Sequence, residues 1–462
     1  MRLTPQPVEH IVCTGTQRSE GNVTVEKVDG VVGGDEQAVD TSVQDDVQKV
    51  TLSEKDIRRN MIFCILMDVM AITGWTDFGI ALQPLLVYLG ASNAMIGLVS
   101  GLAILTLPGI FVSPWITRRF TRKKYYTYFT HIPSLIPILI AGALYFSADA
   151  FSFSKPELMK ITIVSMIAYQ ALYGFLIVPH QEYVAACIPM SYRGKLTGYS
   201  LTIGAVCGLG SAAAGRWILL HVREPICYGY LFILTGVIVA VGYTVALFAK
   251  EVPTPVEESP RPWTKAMIKA AWQDKAFVRF MLFIIVYALT YSPLGGFVAI
   301  YGLKGLGMAA ASAASFMMIS QVIRMAASSP FGILVDRIGA KKIMPYTPLL
   351  SAGAFLSVLV LKGPLSVYVA VILLGLYTAL NSPAISTLQF GIPSKENRAG
   401  HYTIMFIINF IVGSAGNVVV GTAIDMFSYR TVFVAGAIFS CLCFPLIKYL
   451  LSVLSDDLNR FD

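Results

Sequence analysis

Charge is scarce in this chain of 462 residues: only 13% are Asp, Glu, Lys or Arg, against about 25% in an average soluble domain. That deficit excludes a surface solvated by water over most of its area. Cysteine forms no pattern either. The seven Cys include no CxxC pair and no metal-ligand spacing, so neither a structural disulfide nor a metal site is expected. Cys64, Cys207, Cys441 and Cys443 fall in apolar runs, where a thiol is a small buried hydrophobe. No P-loop, no HExxH and no defensible Ser/His/Asp set is present. An enzyme is therefore the least favoured class, and no cofactor is implied. A secretory signal is not found. Residues 1–56 are polar, without an apolar core of that type, and read as a flexible cytosolic tail.

What remains is hydrophobicity. Apolar residues make up 55% of the chain and its mean hydropathy is +0.66. A membrane span needs about 20 mostly apolar residues to cross about 30 Å of hydrocarbon. Twelve such runs occur: 61–88, 94–116, 126–148, 160–183, 196–219, 227–249, 278–301, 311–333, 344–361, 366–388, 402–424 and 431–451. Their length argues for helices over strands. With the N-terminus placed inside, the inner connections hold 18 Lys/Arg and the outer ones six, so both termini are expected to be cytoplasmic. The net charge of +8 sits in short clusters between apolar runs, which disfavours a nucleic-acid partner.

The chain repeats itself. "LYGFLIVPHQEYVAACIPMSYRG" from Leu172 and "LYTALNSPAISTLQFGIPSKENRAG" from Leu376 match at a shift of 204, at Leu, Tyr, Pro and Ile-Pro. "TRRFTRKK" from Thr117 likewise lies over "VDRIGAKK" from Val335. The expected organisation is a tail (1–56), a six-helix bundle (57–249), a cytosolic linker (250–276), a second six-helix bundle (277–452) and a short tail (453–462). Within the linker, Thr264 to Phe277 has the look of a short amphipathic helix at the membrane surface.

At "GILVDRIGAKK", Gly332 to Lys342, the sequence resembles the loop signature of the major facilitator superfamily. "YRGKLTG" at Tyr192 and "LGASNAMIGLVSG" at Leu89 also resemble segments of that family, whereas the first-half loop "ITRRFTRKK" is degenerate. The resemblance covers residues 58–452. It implies an all-α integral membrane protein of twelve transmembrane helices in two pseudo-symmetric bundles, rocking around a midplane cavity lined by spans 1, 4, 7 and 10. It further implies a conformational latch at Gly332, Asp336, Arg337, Gly339 and Lys341. The alternative is that the basic residues there only set topology.

Ionisable residues inside apolar runs are the candidate site, because a charge at the centre of a membrane helix costs about 2.5–3.5 kcal/mol on insertion scales. Span 1 carries Asp68 and Asp77. By a rise of about 1.5 Å per residue, Asp77 lies roughly 3 Å outward of the centre and Asp68 roughly 10 Å inward, on opposite faces of a regular helix. Span 8 carries Gln321 and Arg324, and span 4 carries His180, Gln181 and Glu182. None of these recurs at the matching position of the other half. Arg324 with Glu182 or Asp68 reads either as a register-holding ion pair or as solute-binding machinery. Asp77, with no Lys or Arg at its depth, reads as a proton or cation site, and Asp68 as a second one. Trp75, Tyr287, Tyr291 and Tyr377 are candidate cavity aromatics, with packing as the alternative. His131 reads as a packed histidine, and Arg216 and Asp425 as anchors at outer span ends.

The expected function is secondary active transport of a small organic solute across the cell (inner) membrane, coupled to protons or Na⁺, by a monomer embedded in the bilayer. Two alternatives stand beside it. One is export of lipophilic cations; the other is a non-transporting scaffold or sensor on the same fold.

Overall fold

The computed structural model describes residues 52–117, 119–253, 269, 272–391 and 398–458, and at a few helical positions, Tyr291 and Asp336 among them, the backbone only. The expectations for the N-terminal tail, for most of the linker helix and for those two side chains lie outside the described residues.

Among the described residues, twelve helices are long and apolar enough to cross a membrane. They are α1 (Glu54–Tyr88), α2 (Asn93–Thr117), α3 (Lys123–Phe146), α4 (Lys155–Cys187), α5 (Tyr192–His221), α6 (Ile226–Ala246), α7 (Lys275–Gly305), α8 (Ala311–Val335), α9 (Ala340–Val360), α10 (Pro364–Ile385), α11 (Ile404–Met426) and α12 (Tyr429–Val453). No strand occurs among the described residues. The near end of the bundle is the one where α1 begins, and the far end is the one where it finishes.

Capping explains where the helices start. Ser53 accepts from the Asp56 amide at 3.1 Å, and Glu54 and Asp56 occupy the positive first turn of α1. The helix therefore begins seven residues before the apolar run, in a charged segment that hydropathy alone passes over. Ser92 caps α2 through the Met95 amide, and Ser154 and Glu157 form a capping box on α4. Gly339, at φ +94°, makes the turn between α8 and α9, a conformation that costs a side-chain-bearing residue dearly.

The two halves are built alike. In the first, α1 packs on α5 and α6, α3 on α4 and α6, and α2 on α4. In the second, α7 packs on α11 and α12, α9 on α10 and α12, and α8 on α10. The halves meet along two seams, α2 with α11 and α5 with α8. Small residues permit these approaches, as membrane helices require. Where α2 crosses α4, a Cβ on Gly174 would stand 2.1 Å from the Thr106 carbonyl oxygen.

At the near end, the segment after α6 ties the first half together. Glu251 accepts from the Lys123 and Lys124 amides at 2.5 and 3.1 Å, capping α3. Burial pushes its carboxyl above the usual range, against the pull of those two amides. Asn60 bonds the Cys187 and Lys250 carbonyls, and its own side-chain oxygen accepts from the Lys250 amide.

The crossing of α2 and α4 supplies a test. Gly174→Ala is expected to destabilise the fold by about 1–3 kcal/mol through overpacking, whereas Gly194→Ala, with nothing within 4 Å of its Cβ position, is expected to be neutral or stabilising. Thermal unfolding of the two variants in one detergent checks this; equal midpoints would refute the close approach.

Candidate functional site

A cavity of about 560 Å³ lies between the halves. Its walls come from α1 (Asp68, Ala71, Ile72, Trp75, Thr76), α4 (Tyr173, Leu176, Ile177, His180, Gln181), α5 (Thr197, Ser200, Leu201), Tyr243 of α6, and Met317, Gln321 and Arg324 of α8. These positions fall in the middle and near-end portions of their helices. A second void of about 330 Å³ shares Met317 and Arg324 with the first and reaches Gln83 of α1, Gly295 and Gly296 of α7, Ser320 of α8 and Thr378 of α10. Met317 stands against Gly79, where a Cβ would come within 2.6 Å of its methyl.

The two acids of α1 both turn to α5. Ser200 donates to Asp68 Oδ2 at 2.8 Å, and Ser211 donates to Asp77 Oδ1 at 2.6 Å. The expectation of opposite faces is therefore corrected. The reason is the crossing of the two helices. Gly204 sits on Ile72, Gly208 beside Thr76, and Gly215 near Ile80, so the track of α5 drifts around α1 from Asp68 to Asp77. The acids differ in setting. Asp68 is half-buried and lines the cavity. Asp77 is fully buried, does not line the cavity, and its Oδ2 has no hydrogen-bond partner among the described residues. One residue before it, Thr76 accepts from Gln321 Nε2 at 3.1 Å, a polar link between α1 and α8 across the halves.

Arg324 is exposed to the cavity and makes no ion pair among the described residues. The expected partnership of Arg324 with Asp68 or Glu182 is thus not formed, although Arg324 and Asp68 line one cavity. Glu182 is not among its walls and lies near Tyr126 of α3. His180 and Gln181 do line it. Trp75 does as well, in a cluster with Tyr173 at 6.1 Å and Tyr169 at 5.3 Å between ring centroids. Tyr287 and Tyr377 do not. They stack on each other at 5.9 Å inside the core of the second half, because α7 and α10 turn those positions toward one another.

Sequence reasoning missed Tyr243 and Ser200. Tyr243 joins His180, with its hydroxyl 3.4 Å from Nδ1, to His131, whose ring lies 3.6 Å from the Tyr243 ring. His131 is packed as expected, yet both its nitrogens are buried without a partner. Ser200 had a visible signal, a hydroxyl inside an apolar run. Tyr243 had none.

Between described residues, the hydrogen bonds joining the halves run from the Gln321–Thr76 link to the far end. There Asp425 of α11 accepts from the Asn93 amide at 3.1 Å, the Ala94 amide at 2.7 Å and the Asn93 side chain at 2.7 Å. It thereby caps the N-terminus of α2 across the seam. Tyr429 donates to Asn93, and Lys304 donates to the Ala91 carbonyl. On the other seam, Arg216 donates to Ser315 at 2.6 Å. Arg216 and Asp425 are therefore clasps between the halves rather than membrane anchors.

A family model for the Major Facilitator Superfamily matches residues 61–390, with a second match over 322–459. The chain belongs to the Major Facilitator Superfamily. Membership makes it a membrane transporter by family and not an enzyme. Solved structures of superfamily transporters share the fold. A mutant of the nucleoside transporter NupG has a TM-score of 0.65 at 12% identity, covering 85% of this chain and 99% of its own. A bacterial homologue of the human lysosomal transporter Spinster, inward-facing and unoccupied, has a TM-score of 0.64 at 13% identity, covering 88% and 99%. The fucose:proton symporter of E. coli has a TM-score of 0.57 at 15% identity, covering 86% and 99%. No curated protein matches the chain by sequence.

The superfamily loop signature falls at the end of α8. Of the five residues expected to form a latch, Gly339 makes the turn and Gly332 has open space beside it. Arg337 is exposed, and neither it nor Lys341 forms an ion pair among the described residues. The observed inter-half clasp is at the opposite end. Asp425→Ala is expected to loosen it. A cysteine at Ala91, buried at the far end, should then react with a membrane-impermeant maleimide at least fivefold faster than in the parent; an unchanged rate would show that Asp425 does not hold the seam.

Proposed function

We propose that the chain is a secondary active transporter of a small polar or anionic organic solute, working by alternating access and coupled to protons. The observation that carries this reading is the cavity itself. It lies between two similar halves, is clasped at the far end, and holds a carboxylate and a guanidinium that form no ion pair among the described residues. Burying polar and charged groups without partners is costly. A cavity that retains them suits a solute that supplies the partners. Arg324 and Gln321 hold that solute by charge-assisted hydrogen bonds.

Asp77 carries the coupling proton. A carboxylate anion there has one hydrogen bond and no cation, and a proton on Oδ2 removes the cost of leaving it uncompensated. Its neighbour Thr76 holds Gln321 across the halves, so a change of charge at Asp77 acts next to the link that must break for the cavity to open outward. Asp68, facing the cavity, is the residue through which protons enter from the near side. Na⁺ is the alternative ion at the same oxygens. The fucose:proton symporter among the structural neighbours supports proton coupling by analogy of fold. The charge bias of the loops supports a cytosolic near end in the cell (inner) membrane, with the protein acting as a monomer.

The test separates coupling from binding. After a solute screen by thermal shift, which reports binding by mass action, the best solute is followed in proteoliposomes. Asp77→Asn is expected to abolish accumulation driven by a pH gradient while keeping solute counterflow. Arg324→Ala is expected to lower both at least tenfold. Full gradient-driven accumulation by Asp77→Asn would refute the proton role. Unimpaired transport by Arg324→Ala would favour the export of lipophilic cations.

A further inference from the structure

We infer that the cavity selects a zwitterionic solute with an aromatic or apolar body, its cationic group at Asp68 and its anionic group at Arg324. The inference rests on the proposed transport function and narrows it to a substrate class.

Both charged residues line the same cavity, one from each half. By the helix rise, Asp68 and Arg324 lie within about 4 Å of each other in depth. Each is held short of neutralisation. Asp68 accepts a single hydrogen bond, from Ser200, and Arg324 has no ion pair among the described residues. They do not pair with each other. Of the other titratable side chains on the walls, Tyr173 packs on Trp75 and His180 is bonded to Tyr243, and Gln181, Gln321 and Thr197 are neutral.

A solute with one charge satisfies one of the two residues and leaves the other confined without a counter-charge. The residue left over keeps its charge without an ionic partner while the solute displaces water from around it, which is unfavourable. A zwitterion supplies both partners at once. On the same walls, Trp75 and Tyr173 form an aromatic face, their rings at 67°, against which a ring or an aliphatic body packs. The volume of about 560 Å³ falls within the range of small-molecule sites.

The same geometry links occupancy to movement. The Gln321–Thr76 bond joins α1 and α8 on the far side of the charges, whereas Gly194, Gly198 and Gly332, closer to the near end, have open space beside them. A solute bridging Asp68 to Arg324 ties α1 to α8 on the near side of that bond. A singly charged solute makes no such bridge.

The test uses the full chain in lipid nanodiscs at neutral pH and three matched sets of probes. These are phenylalanine, phenethylamine and 3-phenylpropionate; a phenylalanine dipeptide, its C-terminal amide and its N-acetyl derivative; and 5-aminopentanoate, pentylamine and pentanoate. Binding is read by calorimetry. The expected result is that in at least one set the zwitterion binds tenfold or more tightly than both relatives. Asp68→Asn should then bind the acid of that set as well as the zwitterion, and Arg324→Gln should bind the amine as well. The inference is overturned if a singly charged relative matches its zwitterion in every set that binds, or if no zwitterion binds at all. Labelling of the Ala91 cysteine from the far side reports alternating access without any of these probes, so a failure of substrate class is distinguished from a failure of the transport reading.

Discussion

Hydrocarbon offers no partner to a charge or a backbone dipole, and this constraint orders the molecule. Backbone groups are satisfied within the helices, which leaves side chains as the polar groups still to be placed. Several polar and ionisable residues of the spans line the cavity where the halves face each other: Asp68, Ser200, His180 and Gln181 from the first half, Gln321 and Arg324 from the second. On their shared surface, Asp68 and Arg324 form no ion pair among the described residues.

The seams show how the halves are held together in this structure. Near the far end, α2 and α11 touch backbone to backbone: a Cβ on Gly97 would stand 2.3 Å from the Asn417 carbonyl oxygen, and one on Gly421 would stand 2.2 Å from that of Asn93. Asp425 adds a carboxylate at a helix N-terminus, where the exposed amides and the dipole favour negative charge. Of its three bonds, two are part-buried and one is exposed, so water has access to the clasp. Within the first half, by contrast, Glu251, Asn60 and the crossing of Gly109 with Gly174 are buried.

Much of this was legible in the sequence, and the parts that were not share a cause. The twelve spans, the repeat and the family signature are properties of local pattern, and all stand out in the apolar runs. The extra two turns of α1 escaped because their cap, Ser53, precedes charged residues that hydropathy discounts. Asp68, Arg324, His180, Gln181 and Trp75 were recognisable as exceptions in apolar surroundings, and all five line the cavity. Which face each exception meets depends on helix crossing, a long-range property. Hence Asp77 lies off the cavity, Tyr287 and Tyr377 pack in a core, and Glu182 turns toward Tyr126. The same gap hid the roles of Asp425 and Arg216, whose partners are more than 90 residues away in the chain.

The central claim is that two rigid bundles exchange a clasp at the far end for closure at the near end. Paired spin labels measure it directly, one pair at Gly194 and Gly332, the other at Ser92 and Met426. The account predicts two distance populations for each pair, with the near-end distance shortening as the far-end distance lengthens when pH is changed. A single unchanging distance at both ends, or both distances growing together, would contradict it.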